Sequence, residues 1–361
     1  MPNLTHTALP TAILLAAASL TAQNFEVVPA NYASADAGSF NWVAGASQDV
    51  RQQTLIGASH LGNLVGKAVT ALELRRSSKD LTFAGGSCNM TVTLSISPNA
   101  AVACSSTLAN NVGTFQQQVF NGTVTFPTSP ANSASDVGWT ANNTVRIPFT
   151  TPFAYTGGTL CIDIVGTTIP GQEAEWWMAD ARCEDIPGVV NDLGGGGGSY
   201  GGPSKKWSFV TPRSLVPGGY VHMEARGTPY GLAIAALGPR SATGTPLSLL
   251  GFNAPAGCEL HLNSLELLFP RVFAPDPHPA LVHRGGVATA DVLIPAIPQA
   301  LGFTMTTQWF DWTEVATSNA IEWTMAAAIP TLDMSLVEAT PGEATGHVTN
   351  FIAHVMRFEH Q

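Results

Sequence analysis

The residues with the clearest chemical potential lie between Glu173 and Asp192. Glu173, Glu175, Asp180, Glu184, Asp185 and Asp192 crowd one short stretch. Oxygen donors on irregular backbone are what Ca2+ takes. Glu173, Glu175, Asp180, Glu184 and Asp185 are therefore the candidate ligands, and Ca2+ is the one cofactor the sequence suggests. The spacing is not that of an EF-hand loop, so a solvated acidic loop is the competing reading. Trp176 and Trp177 sit inside the same segment. Aromatic faces stack on sugar rings and carboxylates accept sugar hydroxyls. Trp176, Trp177 and Asp180 are thus the candidate glycan-binding residues. Adjacent strand residues face opposite sides, which would bury one of the two rings. The same alternation splits Trp309, Phe310 and Trp312, where core packing is the favoured reading.

Catalytic signatures are sparse. There is no H-E-x-x-H zinc pattern, and the one G-x-S-x-G string, Gly197–Gly201, falls inside the glycine-rich stretch Gly194–Gly202, which reads as a loop and not as a strand-to-helix elbow. His222 and Glu224 share one strand face and would be able to share a proton or a metal, although solvated cross-strand pairing is the favoured reading. Asp276-Pro277-His278-Pro279 is a rigid titratable loop that a turn also explains. Paired carboxylates for glycoside hydrolysis are defined in space and do not show in a sequence. Asn89, Asn121 and Asn142 each begin an N-x-Thr acceptor pattern and are read as turn and strand residues.

Five cysteines are present: Cys88, Cys104, Cys161, Cys183 and Cys258. The simplest pairing is Cys88 with Cys104 and Cys161 with Cys183, each closing a local loop. Four cysteines allow three connectivities, so the alternatives stay open. Cys258 is left as a buried thiol. No C-x-x-C spacing occurs.

Charged residues make up 11% of the 361-residue chain, while 45% is hydrophobic. Such a surface must be built from Thr, Ser, Asn, Gln and Gly, a pattern common in exported β-proteins. The formal net charge of −10 disfavours a phosphate backbone or an anionic membrane as partner. Residues 12–18 form a short apolar run before the small residues Ser19–Ala22, which reads as a signal peptide over 1–22. No stretch reaches the roughly 18 apolar residues of a membrane span. The expected location is secreted, extracellular or cell-surface.

Period-2 alternation dominates what must position these groups. Met90, Val92, Leu94 and Ile96 alternate with Thr91, Thr93 and Ser95; Val145, Ile147 and Phe149 behave likewise. So do Leu160, Ile162 and Ile164, then Ala288–Ile294, Phe303–Trp309 and Ile321–Met325. Each run predicts a half-buried strand, and Gly, Pro and Asn clusters mark the reversals between them. Gln52–Val65 is the one weak helical pattern. Gly194–Gly202 reads as a flexible surface loop. The Arg226–Pro229 turn marks the expected domain junction.

Several strings resemble exported proteins of planctomycete-like bacteria. They are Leu94–Asn99, Ser106–Gly113 and Ile147–Leu160, then Ala254–Cys258, Ile294-Pro295, Gln308-Trp309 and Ser318–Trp323. The similarity runs from about Tyr32 to Met334 and implies export and a two-domain β-sandwich architecture. It implies no reaction. The stretch Thr340–Gln361, with His347, His354 and His360, lies outside it.

The sequence therefore predicts an all-β chain: a signal peptide over 1–22, a jelly-roll-like β-sandwich over 23–228 and a smaller β-sandwich over 229–361. The expected role is non-catalytic, structural or adhesive, outside the cell. Glycan binding is the alternative and a polysaccharide-active hydrolase the second alternative. Partners would be an extracellular glycan or an envelope component.

Overall fold

The computed structural model describes residues 24–175, 177–184, 186–198, 208–275 and 285–361. The segment expected to be a signal peptide, Trp176, Asp185, Asp276–His278 and the second half of the glycine run lie outside these. The described chain is all-β and antiparallel throughout, interrupted only by 3-10 turns. No helix among the described residues is long and apolar enough to cross a membrane.

The chain opens with β1 (Asn24–Val28), β2 (Gly38–Trp42), β3 (Val50–Ile56), β4 (Ala68–Arg75) and β5 (Gly86–Ser97). It continues through β6 (Thr114–Phe126), β7 (Thr144–Ala154), β8 (Thr159–Thr168) and β9 (Met178–Cys183). Next come β10 (Val189–Gly194), β11 (Ser208–Val210), β12 (Tyr220–Gly227), β13 (Leu232–Gly238), β14 (Arg240–Pro246) and β15 (Glu259–Leu262). Then follow β16 (Leu267–Val272), β17 (Ala274–Pro275), β18 (Gly286–Leu293), β19 (Thr304–Asp311), β20 (Ala316–Thr317) and β21 (Ala320–Thr324). The last four are β22 (Met334–Ala339), β23 (His347–Thr349), β24 (Ile352–His354) and β25 (Met356–His360).

Two apolar clusters organise these strands. The larger lies between the sheet β1-β25-β4-β7 and the sheet β23-β22-β3-β8-β5-β6. Leu72, Ile147 and Phe358 reach it from one side, and Val92, Ile162 and Met334 from the other. The smaller lies between β10-β21-β19-β13-β16 and β11-β12-β18-β17, where Met223 and Ala290 meet Trp309 and Trp323. Both arrangements are consistent with a β-sandwich. The alternation read from sequence holds well in β12, whose residues are in turn half-buried and buried from end to end. It fails in the central strand β8, where Leu160 through Ile164 are all buried because further segments cover its second face.

Three expectations need correction. The Gln52–Val65 helix is instead strand β3 followed by two 3-10 turns. Residues 52 to 56 are all buried between β8 and β22, so the strand carries no alternation to betray it. The expected division at 228/229 falls inside the second group of sheets. That group spans β10 to β21, and the chain then returns to the first. There β22 pairs with β3, and β25 lies between β1 and β4. The Arg226–Pro229 turn merely joins β12 to β13, since a turn signal looks the same inside a sandwich as between two.

The third correction concerns the cysteines, which are all free thiols. Cys88 stands opposite Thr168 on β8, whereas Ser95 stands opposite Cys161. Seven residues of extended strand put those ends roughly 20 Å apart. Cys104 packs with Cys161 and Leu55 at the far end, away from Cys88. Cys183 lies opposite Ile352 in the separate sheet β2-β9-β24. Loop length favoured neighbours in sequence, and strand extension separated them. Burial pushes the Cys88 and Cys161 thiols up to about 12 and Cys104 up to about 11.

Of the described glycines, Gly195–Gly198 are packed closely, whereas Gly194 faces open space. A Cβ at Gly197 would stand 2.5 Å from Cys258 Sγ and 2.9 Å from the Ala256 carbonyl oxygen. One at Gly196 would stand 2.6 Å from the Asn319 nitrogen. These glycines let the chain lie directly on the β15 and β20 region. Gly197→Ala is expected to destabilise by about 1–3 kcal/mol, the usual cost of overpacking. An unchanged urea midpoint would show that the strip gives way freely.

Candidate functional site

Few of the residues singled out from sequence converge. Trp177 is fully buried: its Nε1 donates to the Pro127 carbonyl at 3.0 Å, and its ring meets Phe126 at 5.6 Å and Phe83 at 6.2 Å. It is a core residue and offers no face to a sugar. Asp180 is also fully buried and pairs with Arg75 at 2.5 Å. It is unavailable to a ligand. Glu173 accepts from the Gly171 amide, whereas Glu184 accepts from the Thr331 amide and hydroxyl. Among the described residues no three His, Cys, Asp or Glu side chains gather to hold a metal. Of the proposed Ca2+ ligands, Glu173, Glu175, Asp180 and Glu184 do not gather into one site, and Asp185 lies outside the described residues. Met178 through Ala181 are all buried in β9, which seals Asp180 inside, while Glu173 and Glu184 anchor turns elsewhere. Of the second aromatic set, Trp309 is buried, whereas Trp312 is 55% exposed.

A different site lies where the two groups of sheets meet. It is a cleft of about 720 Å³, within the range of small-ligand pockets. Trp42 and Asp49 come from the end of β2 and the start of β3. Tyr220 and Asp291 come from β12 and β18, and Ser106 from the segment preceding β6. The β22–β23 hairpin supplies Glu338, Glu343 and His347.

Each wall has a local cause. Tyr220 and His222 lie on the outward face of β12, since Val221 and Met223 fill the core. The register sets His222 opposite Asp291, and His222 Nδ1 meets Asp291 Oδ1 at 2.7 Å. Glu224 pairs instead with Arg226 at 3.1 Å, so His222 takes its partner from β18 and not from its own strand. The His347 ring lies 5.5 Å from Tyr220 and 6.2 Å from His222, edge-on to the latter. The hairpin is tied down where the Gly346 amide donates to the Ser106 carbonyl at 2.8 Å.

The carboxylates are held by neutral donors. Asp49 Oδ1 accepts from the Thr168 amide at 2.8 Å and hydroxyl at 2.9 Å. Glu338 accepts from Gln52 Nε2 at 2.7 Å, and Glu343 from the Thr340 amide at 3.3 Å. The hydrogen bond to Asp291 raises His222 above the ordinary histidine value against the effect of burial. Burial works to raise Asp291, yet the bond from His222 and the nearby His347 hold it below the usual carboxylate value. The protein packed around His347 lowers that imidazole, while Asp291 and Glu338 pull the other way.

Sequence reasoning missed Trp42, Asp49, Asp291, Glu338, Glu343 and His347 as a set. Asp291 was visible as an outward residue in the alternating run Ala288–Ile294. Nothing local joins it to residues 42, 338 or 347. Comparison with protein families and with curated proteins finds no match for the chain.

Proposed function

We propose that this chain is a non-catalytic glycan-recognition protein of an extracellular or cell-surface setting, with the glycan seated in the cleft. The carrying observation is the cleft's lining: the Trp42, Tyr220 and His347 rings stand among the carboxylates of Asp49, Asp291, Glu338 and Glu343. Rings offer apolar stacking faces, and carboxylates accept hydroxyl protons at their edges. The setting is supported by the low charge content and by the apolar run over residues 12–18. Kinship with exported two-domain proteins of planctomycete-like bacteria belongs to the same proposal and rests on the turn-and-strand strings alone. Trp177 and Asp180 have no part in it.

A glycan array should return at least one saccharide hit. His347→Ala changes an exposed ring and should lower that affinity at least tenfold at unchanged melting temperature. An array without hits, or a variant that binds as the wild type does, would remove the reading. A hydrolytic version draws on the His222–Asp291 pair beside the other carboxylates. It requires new reducing ends from the bound glycan, and their absence on prolonged incubation would end it.

A further inference from the structure

We infer that the ligand is a glycan bearing positive charge, an amino-sugar polymer with free amines. This rests on the glycan reading of the cleft and adds its charge class. Four carboxylates line the cavity and no Lys or Arg does. The donors that hold Asp49, Glu338 and Glu343 are amides and a hydroxyl, which leave those charges uncompensated. Asp291 alone has a basic partner, His222. Among the described residues, Asp49, Glu338 and Glu343 make no ion pair. A neutral glycan would displace water from at least three formal charges and return only hydroxyl hydrogen bonds to them, which leaves a desolvation cost. An ammonium-bearing ligand replaces that water with charge-assisted hydrogen bonds.

The rings argue independently against a bare cation. Tyr220 and His347 stack at 5.5 Å on one side of the cavity, and Trp42 contributes to its lining. A metal ion has no use for a cavity of about 720 Å³ walled in part by rings, and a polyamine has no ring face to lay against them. An amino sugar presents an apolar ring face to those walls and an ammonium group to the carboxylates. The excess of 25 Asp and Glu over 15 Lys and Arg in the whole chain would attract such a polymer from a distance.

The test is titration calorimetry with the full chain and three probes: a β-1,4-linked glucosamine hexamer, its fully N-acetylated counterpart, and spermine. The glucosamine hexamer should bind at least tenfold more tightly than the other two and weaken as salt rises. Glu338→Gln and Glu343→Gln remove charge with little change of shape. Each should weaken the glucosamine hexamer severalfold and by a larger factor than it weakens the acetylated chain, and equal loss for both hexamers would count against the charge assignment. Equal binding of the two hexamers would overturn the charge assignment and leave the glycan reading standing. Spermine binding as tightly as glucosamine would overturn the sugar half. No binding by either hexamer, with an array empty of other saccharides, would remove both.

Discussion

Replacing Asp180 by alanine is expected to cost the folded chain about 3–5 kcal/mol, the usual consequence of removing one partner from a buried ion pair. Asp180 and Arg75 are both fully buried and meet at 2.5 Å. The Arg75 guanidinium also donates to the carbonyl oxygens of Val137 at 2.8 Å, Ala35 at 2.7 Å and Tyr32 at 3.1 Å. Asp180 Oδ1 in turn accepts from the Ala37 amide at 3.0 Å. The pair thus pins two irregular segments, around residues 32–37 and 137, against β4 and β9. Without Asp180 the guanidinium keeps its charge with no counterion in a dry site. Chemical unfolding at pH 7 should show the loss directly. A loss below about 1 kcal/mol would mean that water reaches Arg75 and that the site is not dry. Arg75→Met combined with Asp180→Leu should recover part of the loss, because an apolar pair carries no desolvation cost. Recovery should stay incomplete, since three carbonyls then lose their donor.

The second large effect is one of pH. His354 is buried on β24, and a ring nitrogen lies 3.1 Å from the Trp42 carbonyl oxygen. Burial lowers its imidazole to about 4, although the carbonyls of Trp42 and Asn41 pull it up. The unfolded chain takes up this proton below its ordinary value of about 6.5, and the folded chain does so only near 4. The folded state is therefore favoured above pH 6.5, and that stability is lost as pH falls toward 4. The loss amounts to about 2.5 kcal/mol by pH 4.5. Asp180 opposes it, because burial pushes that carboxyl up to about 6 against the pull of Arg75. The folded chain thus gains that proton first, and stability from this source is lost as pH rises. The two act in opposite senses over the same window, so the wild-type curve alone does not separate them. The difference between wild type and His354→Gln does. Unfolding free energies at pH 7.5 and 4.5 should show the wild type losing about 2.5 kcal/mol more than the variant. Equal changes in both would show that His354 takes up its proton while folded.

His347 and His354 come from the same histidine-rich stretch, which lies outside the strings that carry the family resemblance. One stands exposed at the cleft and the other is sealed beneath Trp42. Their composition is alike, and their roles diverge only because β23 and β24 belong to different sheets. Trp176 and Trp177 pose the matching problem. Trp177 is buried, but it precedes β9 in a turn where its amide donates to the Ala174 carbonyl, so no local rule identified which groups outside the segment would surround it.

What the chain determines locally is strand character. Burial at every second position is a property of a few consecutive residues, so Val92, Ile147, Ala290 and Trp323 announce themselves without reference to partners. The all-β class follows from that, and Gly-Pro-Asn punctuation follows from φ. Pairing is a different matter. Whether Phe358 lies beside Leu72, or Glu338 beside Gln52, depends on which edge wins a match among many of similar energy. That choice is made by burying the whole apolar surface at once. The cleft inherits this dependence, because its groups span residues 42 to 347 and meet only after β22 to β25 return to the first sheets. The Arg75–Asp180 pair, the free cysteines and the cleft are all decided at that level. There, the cost of an unpaired charge or an empty core outweighs any preference a short stretch of chain can express.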